Sequence, residues 1–367
     1  MSFYVRFSDM GPKPPDQPGV GDVLSPSDRL AIARAAVLAP SADNRHCFAL
    51  QASGERILLF GNDAYVSAPF HRKVLGLISF GAVAENMRVR AASLGYQTRV
   101  TWLPDRTDPS LIAELGFARA DHSEHELDAA ISRRHTNRRL TYHGPRLSEP
   151  ELAALSKAVA CIEGVSLHFM DSPTSRMKLL RLLRIAEAER FNTRSLHQEL
   201  FSAVRFDAGW HKTVEEGLAP CALSVEPGMR WAFRQLGRWP VMNLLRALGF
   251  HHALGFRAAY LPCRLAPHCA VLATPLPIER GAPAVGMALE RVWLRAASSG
   301  LALQPFAAPA LLALPGYVDV PSTTRDRLRD AWHELLGDTP AMIFRIGFAK
   351  PPKGRSGRPT PTAFVRT

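Results

Sequence analysis

The spacing of apolar residues predicts a helix near the beginning of the sequence. In the segment 24–40, Leu30, Ala33 and Val37 lie three and four positions apart, which places them on one face of a helix. Pro40 ends this pattern, because the residue before a proline disfavours helical backbone. Residues 1–21 contain several prolines and glycines and little periodicity, and we interpret them as an N-terminal arm.

A second helix and three strands are predicted farther along the chain. Residues 79–96 carry an apolar stripe at helical spacing, and Gly95 stands where a helix C-cap is expected. Residues 47–60 alternate between apolar and polar positions around a glycine turn, which predicts two short strands. Residues 98–104 predict a third strand.

The helix at 79–96 has a copy in the second part of the chain. Residues 81–96 align without a gap with residues 286–301, and seven of the sixteen pairs are identical, where chance gives about one. The identical pairs are Gly81/Gly286, Glu85/Glu290, Arg90/Arg295, Ala91/Ala296, Ala92/Ala297, Ser93/Ser298 and Gly95/Gly300. A weaker similarity joins residues 24–37 to residues 147–159. We interpret these repeats as an internal duplication, with a coincidence between alanine-rich helices as the alternative.

A duplication predicts two halves that pack against each other. We place the first half at residues 22–125 and the second at residues 126–367. Two copies of one unit can pack about a pseudo-twofold axis, as the subunits of a homodimer do. A ligand site between the halves would then take residues from both of them.

The second half contains an apolar and basic insert at residues 228–262. This segment has helical spacing, includes Trp231 and Trp239, and is broken near Pro240. The sequence leaves three roles open: a lid over a site, a pair of core helices, or a surface that meets a membrane. Packing inside the protein is the most ordinary of the three.

Composition and charge narrow the class of protein. The chain has 367 residues, of which 47% are hydrophobic and 21% charged, enough for a large core. The net charge of +12 comes mostly from scattered arginines without a recognised nucleic-acid-binding module, so we expect no nucleic-acid partner. The sequence shows no secretory signal, no membrane-spanning segment and no CxxC pair among its five cysteines. We therefore expect a cytoplasmic protein.

Two arginine-rich segments are candidates for binding an anion. In residues 131–145 the arginines are Arg133, Arg134, Arg138 and Arg139. Guanidinium groups this close together repel one another unless solvent or an anion neutralises their charge. They also bind phosphate through paired hydrogen bonds. The hydroxyl of Thr136 could add a donor. The loop 347–364 adds Lys353, Arg355 and Arg358, although a solvated basic tail is an alternative interpretation.

Other motifs are weaker. The turn after the first helix places Ser41, Asp43 and Asn44 together, but alone it is typical of an ordinary helix-ending turn. Residues 122–126 contain histidines and glutamates, which we interpret as a polar linker between the halves and not as a metal site. GxGxxG, HExxH and P-loop motifs are absent from the sequence.

Taken together, these segments resemble the FMN-dependent nitroreductase superfamily, in particular its fused two-domain, Acg-type branch. The segments that carry the resemblance are 39–44, 78–96, 133–139, 285–306 and 344–359. The resemblance covers about residues 24–365 except the insert. It implies an α+β fold in which two homologous halves form a pseudo-homodimer, with mixed or antiparallel sheets flanked by helices.

The resemblance also implies one FMN per chain at the seam between the halves. The residues that would hold the phosphate or the ribityl chain are Arg133, Arg134, Thr136, Arg355 and Arg358. Arg138 would reach the pyrimidine side of the ring, and Ser41 and Asn44 would contact the flavin from the first half. Gln304, Pro305 and Phe306 would lie beside the ring, with a backbone N–H near Ala307 or Ala308 directed at flavin N5.

The sequence departs from the family near the expected ring. The usual Gln-Pro-Trp after the PSxxN turn is replaced by residues 45–48, Arg-His-Cys-Phe. Alanines replace the acidic-glycine pair that many of these reductases have near N5. Cys47 could be a thiol of the site, although a small packed side chain is its more ordinary role.

The implied function is that of an FMN-dependent oxidoreductase. NAD(P)H would reduce the flavin, and a small conjugated molecule would then take the electrons in a ping-pong cycle. The alternatives are a protein that sequesters FMN with little turnover and a flavin-dependent biosynthetic dehydrogenase. We expect a small-molecule substrate, no membrane partner, and either a monomer that acts as a pseudo-dimer or a homodimer.

Overall fold

The computed structural model describes residues 24–366, except 106, 121–124, 315–316 and 318. The predicted arm at 1–21 and most of the histidine-rich cluster at 122–126 lie outside the described residues.

The first half forms a four-stranded antiparallel sheet with one long helix packed against it. Its elements are α1 (Pro26–Val37), β1 (Phe48–Ser53), β2 (Arg56–Gly61), α2 (Asp63–Val66), α3 (Phe70–Ser93), β3 (Tyr96–Trp102) and β4 (Leu111–Arg119). The strand order is β1-β2-β4-β3. The Ser25 hydroxyl caps α1 by accepting from the backbone N–H of Asp28 at 3.1 Å, and the helix ends before Pro40 as predicted.

The second half repeats this arrangement. The corresponding elements are α5 (Glu149–Ala160), β5 (Ser166–Phe169), β6 (His268–Thr274), α12 (Ile278–Ser298), β7 (Ala302–Phe306) and β8 (Thr339–Gly347). The strand order is β5-β6-β8-β7, which matches the first sheet strand for strand, and all pairs are antiparallel. The prediction of an α+β fold is confirmed, and the matching order is what fused homologous halves require.

Further helices join and extend the halves. They are α4 (His125–Ile131), α6 (Pro173–Asn192), α7 (Arg194–Ser202), α8 (Arg230–Leu236), α9 (Trp239–Ala247), α10 (Phe250–Gly255), a π-helix (Phe256–Tyr260), α11 (Leu261–Arg264), α13 (Ala308–Leu311) and α14 (Ser322–Leu335). The helical region between β5 and β6 spans residues 170–267. The predicted insert, 228–262, is therefore only the second part of a longer helical region.

The two copies of the repeated helix cross at their equivalent glycines. A Cβ on Gly81 would lie 2.0 Å from the Pro283 carbonyl oxygen, and one on Gly286 would lie 2.0 Å from that of Ile78. Only glycine permits backbones to approach this closely. The equivalent arginines Arg90 and Arg295 both reach α4, where they form ion pairs with Asp128 and Glu126. The equivalent residues of the two helices thus make equivalent contacts, which is consistent with fused halves.

The region 228–265 packs on α6 and α7 and leaves an apolar outer surface. Met242 is fully buried in a small separate core, whereas Trp231 is 75% exposed and Leu248 is 76% exposed. Within the described ranges, no helix is both long and apolar enough to cross a membrane.

Candidate functional site

Four segments from both halves converge on one pocket of about 140 Å³. These are the turn after α1, the segment after α4, the loop that follows α7, and the C-terminal loop. The lining residues are Leu38, Pro40, Ser41, Asn44, Ile131, Ser132, Arg134, His135, Thr136, Arg138, Leu218, Ala222, Arg355, Ser356 and Arg358. The pocket thus lies at the seam between the predicted halves.

The turn after α1 is held in an unusual backbone conformation. Asp43 and Asn44 have φ of 56° and 55°, in the left-handed region that asparagine and aspartate tolerate better than most residues. The Asn44 amide donates to the Glu215 carbonyl at 3.1 Å, and its carbonyl side-chain oxygen accepts from Arg358 at 2.5 Å. The Gly217 N–H donates to the Asn44 backbone oxygen at 2.9 Å. Asn44 therefore joins three walls of the pocket.

The arginine-rich segment is anchored to the edge of the second sheet. Thr136 forms a parallel bridge with Leu303 on β7, and the Asn137 N–H donates to the Leu303 carbonyl at 3.1 Å. The Asn137 amide also donates to the Lys350 carbonyl at 3.0 Å, which ties this segment to the C-terminal loop. This anchoring turns Arg134 into the protein and leaves Arg133 exposed.

The C-terminal loop needs its two glycines for close packing. A Cβ on Gly354 would lie 2.5 Å from the Cys221 sulfur, and one on Gly357 would lie 3.0 Å from the Val214 carbonyl oxygen. The Gly357 N–H donates to that same carbonyl at 2.8 Å. These contacts bring Arg358 over the turn after α1, where it also donates to the Ala39 carbonyl at 3.3 Å.

The pocket has an excess of positive charge. Its lining contains four arginines and one histidine, and no aspartate or glutamate belongs to it among the described residues. Burial, reinforced by the charge of Arg134, lowers the pKa of Arg358 to about 10. Burial lowers the pKa of His135 as well, and the neighbouring Arg355 and Arg134 act in the same direction. An anion is the ligand that such a lining favours.

Buried polar atoms without partners also point to a ligand. The Ser41 hydroxyl and the Arg358 Nε are buried and have no hydrogen-bond partner in the described part of the chain. A buried donor without a partner costs about 1–3 kcal/mol. A phosphate placed between these groups would remove that cost.

Most of the predicted contact residues meet in this pocket. The lining includes Ser41, Asn44, Arg134, Thr136, Arg138, Arg355 and Arg358. Arg138 is half-buried and donates to the Ala222 carbonyl at 3.4 Å, and burial lowers its pKa. Arg133 is exposed and lies outside the lining.

The residues predicted beside the flavin ring lie outside the pocket lining. Gln304, Pro305 and Phe306 belong to β7, and Ala307 and Ala308 stand at the start of α13. The Gln304 side-chain oxygen accepts from Arg345 at 3.0 Å, and Arg345 is fully buried. Gln304 therefore holds a buried guanidinium inside the second half.

Cys47 also lies outside the pocket lining. It is half-buried and packs against the main core. Burial raises the pKa of its thiol to about 11, so the thiol is protonated at neutral pH. A protonated thiol is a poor nucleophile.

A half-buried ionic network adjoins the turn at Asp43. Arg72 forms ion pairs with Asp43 at 2.9 Å and with Glu199 at 2.7 Å. His71 lies 3.4 Å from Glu199, and its ring stacks on Tyr317 at 3.9 Å. The network fixes the turn against α3 and α7.

Sequence reasoning missed the third wall of the pocket. Leu218 and Ala222 come from the loop after α7, which carries no recognisable motif. This loop is packed closely at two glycines: its own Gly217 lies against Ala203 and Arg205, and Gly354 of the C-terminal loop lies against Cys221. Periodicity in the sequence does not reveal such contacts. His135 and Ser356 were within the recognised segments and could have been included.

Comparisons with known proteins give related but distant matches. No protein-family model matches this chain. An uncharacterized protein, MT1398, of Mycobacterium tuberculosis (strain CDC 1551 / Oshkosh) is 26% identical over 348 residues, covering 89% of this chain and 46% of the relative. The chain thus spans about half the length of that relative.

Solved structures of flavin-dependent enzymes are similar over about two thirds of the chain. The FMN-dependent nitroreductase NfnB from Mycobacterium smegmatis, solved with NADPH, is 15% identical, with a TM-score of 0.38, and covers 66% of this chain and 98% of its own. A nitroreductase with bound FMN from Desulfitobacterium hafniense is 14% identical, with a TM-score of 0.36, and covers 66% and 98%.

Proposed function

We propose that this chain is a nitroreductase-like flavoprotein that binds one FMN at the seam pocket and uses it as an oxidoreductase. The observation that supports this most strongly is a pocket with four arginines and no carboxylate in its described lining. Ser41 and Asn44 enter that pocket from the first half and the arginine-rich segment enters it from the second. Three of the segments that resemble the FMN-dependent nitroreductases therefore meet at this pocket, namely 39–44, 133–139 and 344–359.

The lining suits the phosphate of FMN. Arg134, Arg355 and Arg358 would neutralise it, and guanidinium groups match phosphate oxygens with paired donors. The Ser41 hydroxyl and the Thr136 hydroxyl would donate further hydrogen bonds. The buried atoms without partners, Ser41 Oγ and Arg358 Nε, are where the ligand would be held.

The rest of the lining suits the uncharged part of the nucleotide. The apolar residues are Leu38, Pro40, Ile131, Leu218 and Ala222. They would exclude water, while Arg138 supplies a cation on the same wall. Bound FMN would supply hydride and electron transfer, which side chains cannot perform.

Spectroscopy of the purified full-length protein tests the proposal. We expect the visible absorbance of bound oxidised flavin after loading with FMN, and anaerobic loss of that absorbance on addition of NADH or NADPH. Reoxidation by a quinone or a nitroaromatic compound would complete the cycle. A loaded protein whose absorbance persists with excess donor would instead indicate FMN sequestration, and failure to bind FMN would reject the proposal.

A further inference from the structure

A buried glutamate lies directly behind the arginine pocket. Glu290 on α12 has no exposed surface, and its Oε1 lies 3.0 Å from Arg134 Nε. The contact is an ion pair without hydrogen-bond alignment, because neither Glu290 oxygen has a hydrogen-bond partner among the described residues. Arg134 is also held by its donation to the Leu38 carbonyl at 2.9 Å and by the Trp293 ring, whose centre lies 4.7 Å from its Cζ.

The duplicated helix explains why this carboxylate is poorly satisfied. Its equivalent in the first half, Glu85, is also fully buried but has two cationic partners. Arg88, three residues farther along the same helix, binds it at 2.9 and 3.0 Å, and Arg291 of the opposite helix binds it at 2.8 Å. The positions equivalent to Arg88 and Arg291 are Trp293 and Asn86, which are uncharged.

Glu290 consequently depends on arginines that also line the pocket. Burial raises the pKa of Glu290 to about 7, although the charges of Arg134 and Arg358 oppose the rise. The other groups that face it are Glu85 and Asn86 on α3; Glu85 raises its pKa and Asn86 lowers it. A carboxylate in the interior is stable only while a cation compensates it.

We propose that Glu290 is the internal counter-ion of the pocket and that a bound phosphate group takes its place, so that binding is accompanied by uptake of one proton on Glu290. This inference rests on the proposed FMN site and identifies the residue that sets the pH dependence of phosphate binding there. A phosphate dianion shares Arg134 and Arg358 with the carboxylate, and the carboxylate then becomes neutral by accepting a proton from solvent.

The sign of the pH dependence follows from this exchange. Above pH 7 the free protein holds Glu290 as a carboxylate, so binding must be accompanied by proton uptake and weakens as the pH rises. Three other groups titrate in range. The phosphate itself loses a proton near pH 6, which strengthens binding, and Arg358 loses charge only near pH 10. His135 lines the pocket with its pKa lowered by burial, and a bound phosphate would favour its protonated form as well. Replacement of Glu290 alone separates its contribution from theirs.

Calorimetric titration of the flavin-free full-length protein with FMN at pH 8 tests the inference. Titrations in two buffers with different ionisation enthalpies measure the number of protons taken up. We expect nearly one proton for the wild type and none for Glu290→Gln, since glutamine imitates the protonated acid. At pH 8 the variant should bind FMN about tenfold more tightly than the wild type, and at pH 6 the two should agree.

Glu85→Gln is the matched control, because the same residue type is changed at the equivalent buried position outside the pocket lining. It should retain the proton uptake of the wild type. Proton uptake that persists in Glu290→Gln, or its absence in the wild type, would overturn the inference. In either case, binding of FMN would still support the flavin site. If Glu290→Gln fails to fold, His135→Gln is the second variant: it should keep the wild-type proton uptake, and loss of the uptake in this variant would overturn the inference.

Inorganic phosphate is the second probe, and it distinguishes the two proposals. If the protein binds inorganic phosphate with proton uptake but does not bind FMN, the role of Glu290 is supported and the flavin site is rejected. A protein that binds neither FMN nor phosphate would reject both.

Discussion

At the scale of single residues, the structure separates the arginines that line the pocket from an arginine that is merely close to them in sequence. Arg134 and Arg133 are neighbours, yet Arg134 is buried against Glu290 and Arg133 is exposed outside the lining. Arg358 comes from the opposite end of the chain and is held over Asn44. The number of arginines in a segment therefore says less about binding than the direction in which each side chain is held.

Replacement of Arg358 by alanine should weaken FMN binding. Charged hydrogen bonds contribute about 1.5–3 kcal/mol, so Arg358→Ala is expected to lower the affinity roughly ten- to a hundredfold. Arg133→Ala is the matched control and should leave the affinity nearly unchanged, since Arg133 lies outside the lining. Fluorescence titration with FMN measures both, and equal losses in the two variants would contradict the site.

Glu290 should also affect the stability of the flavin-free protein. Its pKa rises from 4.5 in the unfolded chain to about 7 in the folded one, so the folded state binds the proton more tightly. The stabilisation by that proton is complete below pH 4.5 and is lost as the pH rises to 7. Relative to the wild type, Glu290→Gln should therefore gain about 3 kcal/mol in unfolding free energy between pH 4.5 and 8. Urea unfolding at several pH values measures this, and parallel pH profiles of the two proteins would contradict it.

At the scale of secondary-structure elements, the crossing of α3 and α12 positions the site. The helices touch at Gly81 and Gly286, and α4, which packs on both of them, leads into the arginine-rich segment of the pocket. Any change that separates the helices should disturb Arg134 and Glu290 together.

A methyl group at the crossing should destabilise the protein. In Gly286→Ala, the new Cβ would lie 2.0 Å from the Ile78 carbonyl oxygen, and a helix backbone cannot yield locally. We expect a loss of about 2 kcal/mol or more in thermal or urea unfolding. Gly337→Ala, where a Cβ meets nothing within 4 Å, is the control. Equal stability of the two variants would show that the helices do not pack as described.

The sequence predicted the repeated elements better than their surroundings. The helices at 24–40 and 79–96 are present, but α3 already begins at Phe70, directly after Pro69. It continues through Gly76, a weak helix former whose backbone packs against the Tyr65 ring. The glycine pair and the Glu85/Glu290 pair were visible as identities between repeats. The helical region at 170–267 was missed in part, since its helices pack mainly on one another and have no counterpart in the first half.

The candidate site was predictable where a motif carried the chemistry. Ser41, Asn44 and Arg358 lie far apart in sequence, and the resemblance grouped them. Arg133, Gln304 and Cys47 belong to or adjoin the matching segments, but they lie outside the pocket lining. A motif does not determine the direction in which each side chain points. In the sequence, Glu290 was visible only as an identity between the repeats. Its importance appears in the structure, where Glu85 pairs with Arg88 and Arg291 whereas Glu290, in the described part of the chain, pairs only with Arg134.

At the scale of the whole molecule, the pocket and the exposed apolar surface are separate features. Residues 228–262 contribute nothing to the described pocket lining. Met242 packs in the small core together with Phe191 of α6 and Phe201 of α7, while Trp231 and Leu248 face outward. The placement of this segment therefore argues against a lid over the proposed FMN site.

Changes on that surface should leave FMN binding unaffected. Trp231→Ser and Leu248→Ser alter side chains that are 75% and 76% exposed and lie outside the pocket. We expect the rate of FMN release, followed by stopped-flow fluorescence, to match that of the wild type. Faster release from both variants would indicate that the segment closes over the bound flavin.

The most direct measurement for the central claim is a parallel titration of the flavin-free full-length protein with FMN and with riboflavin, which lacks the phosphate. Because Arg134, Arg355 and Arg358 would act on that phosphate, we predict saturation at one FMN per chain and much weaker binding of riboflavin. Equal affinity for the two flavins, two FMN per chain, or no binding of FMN would contradict the account.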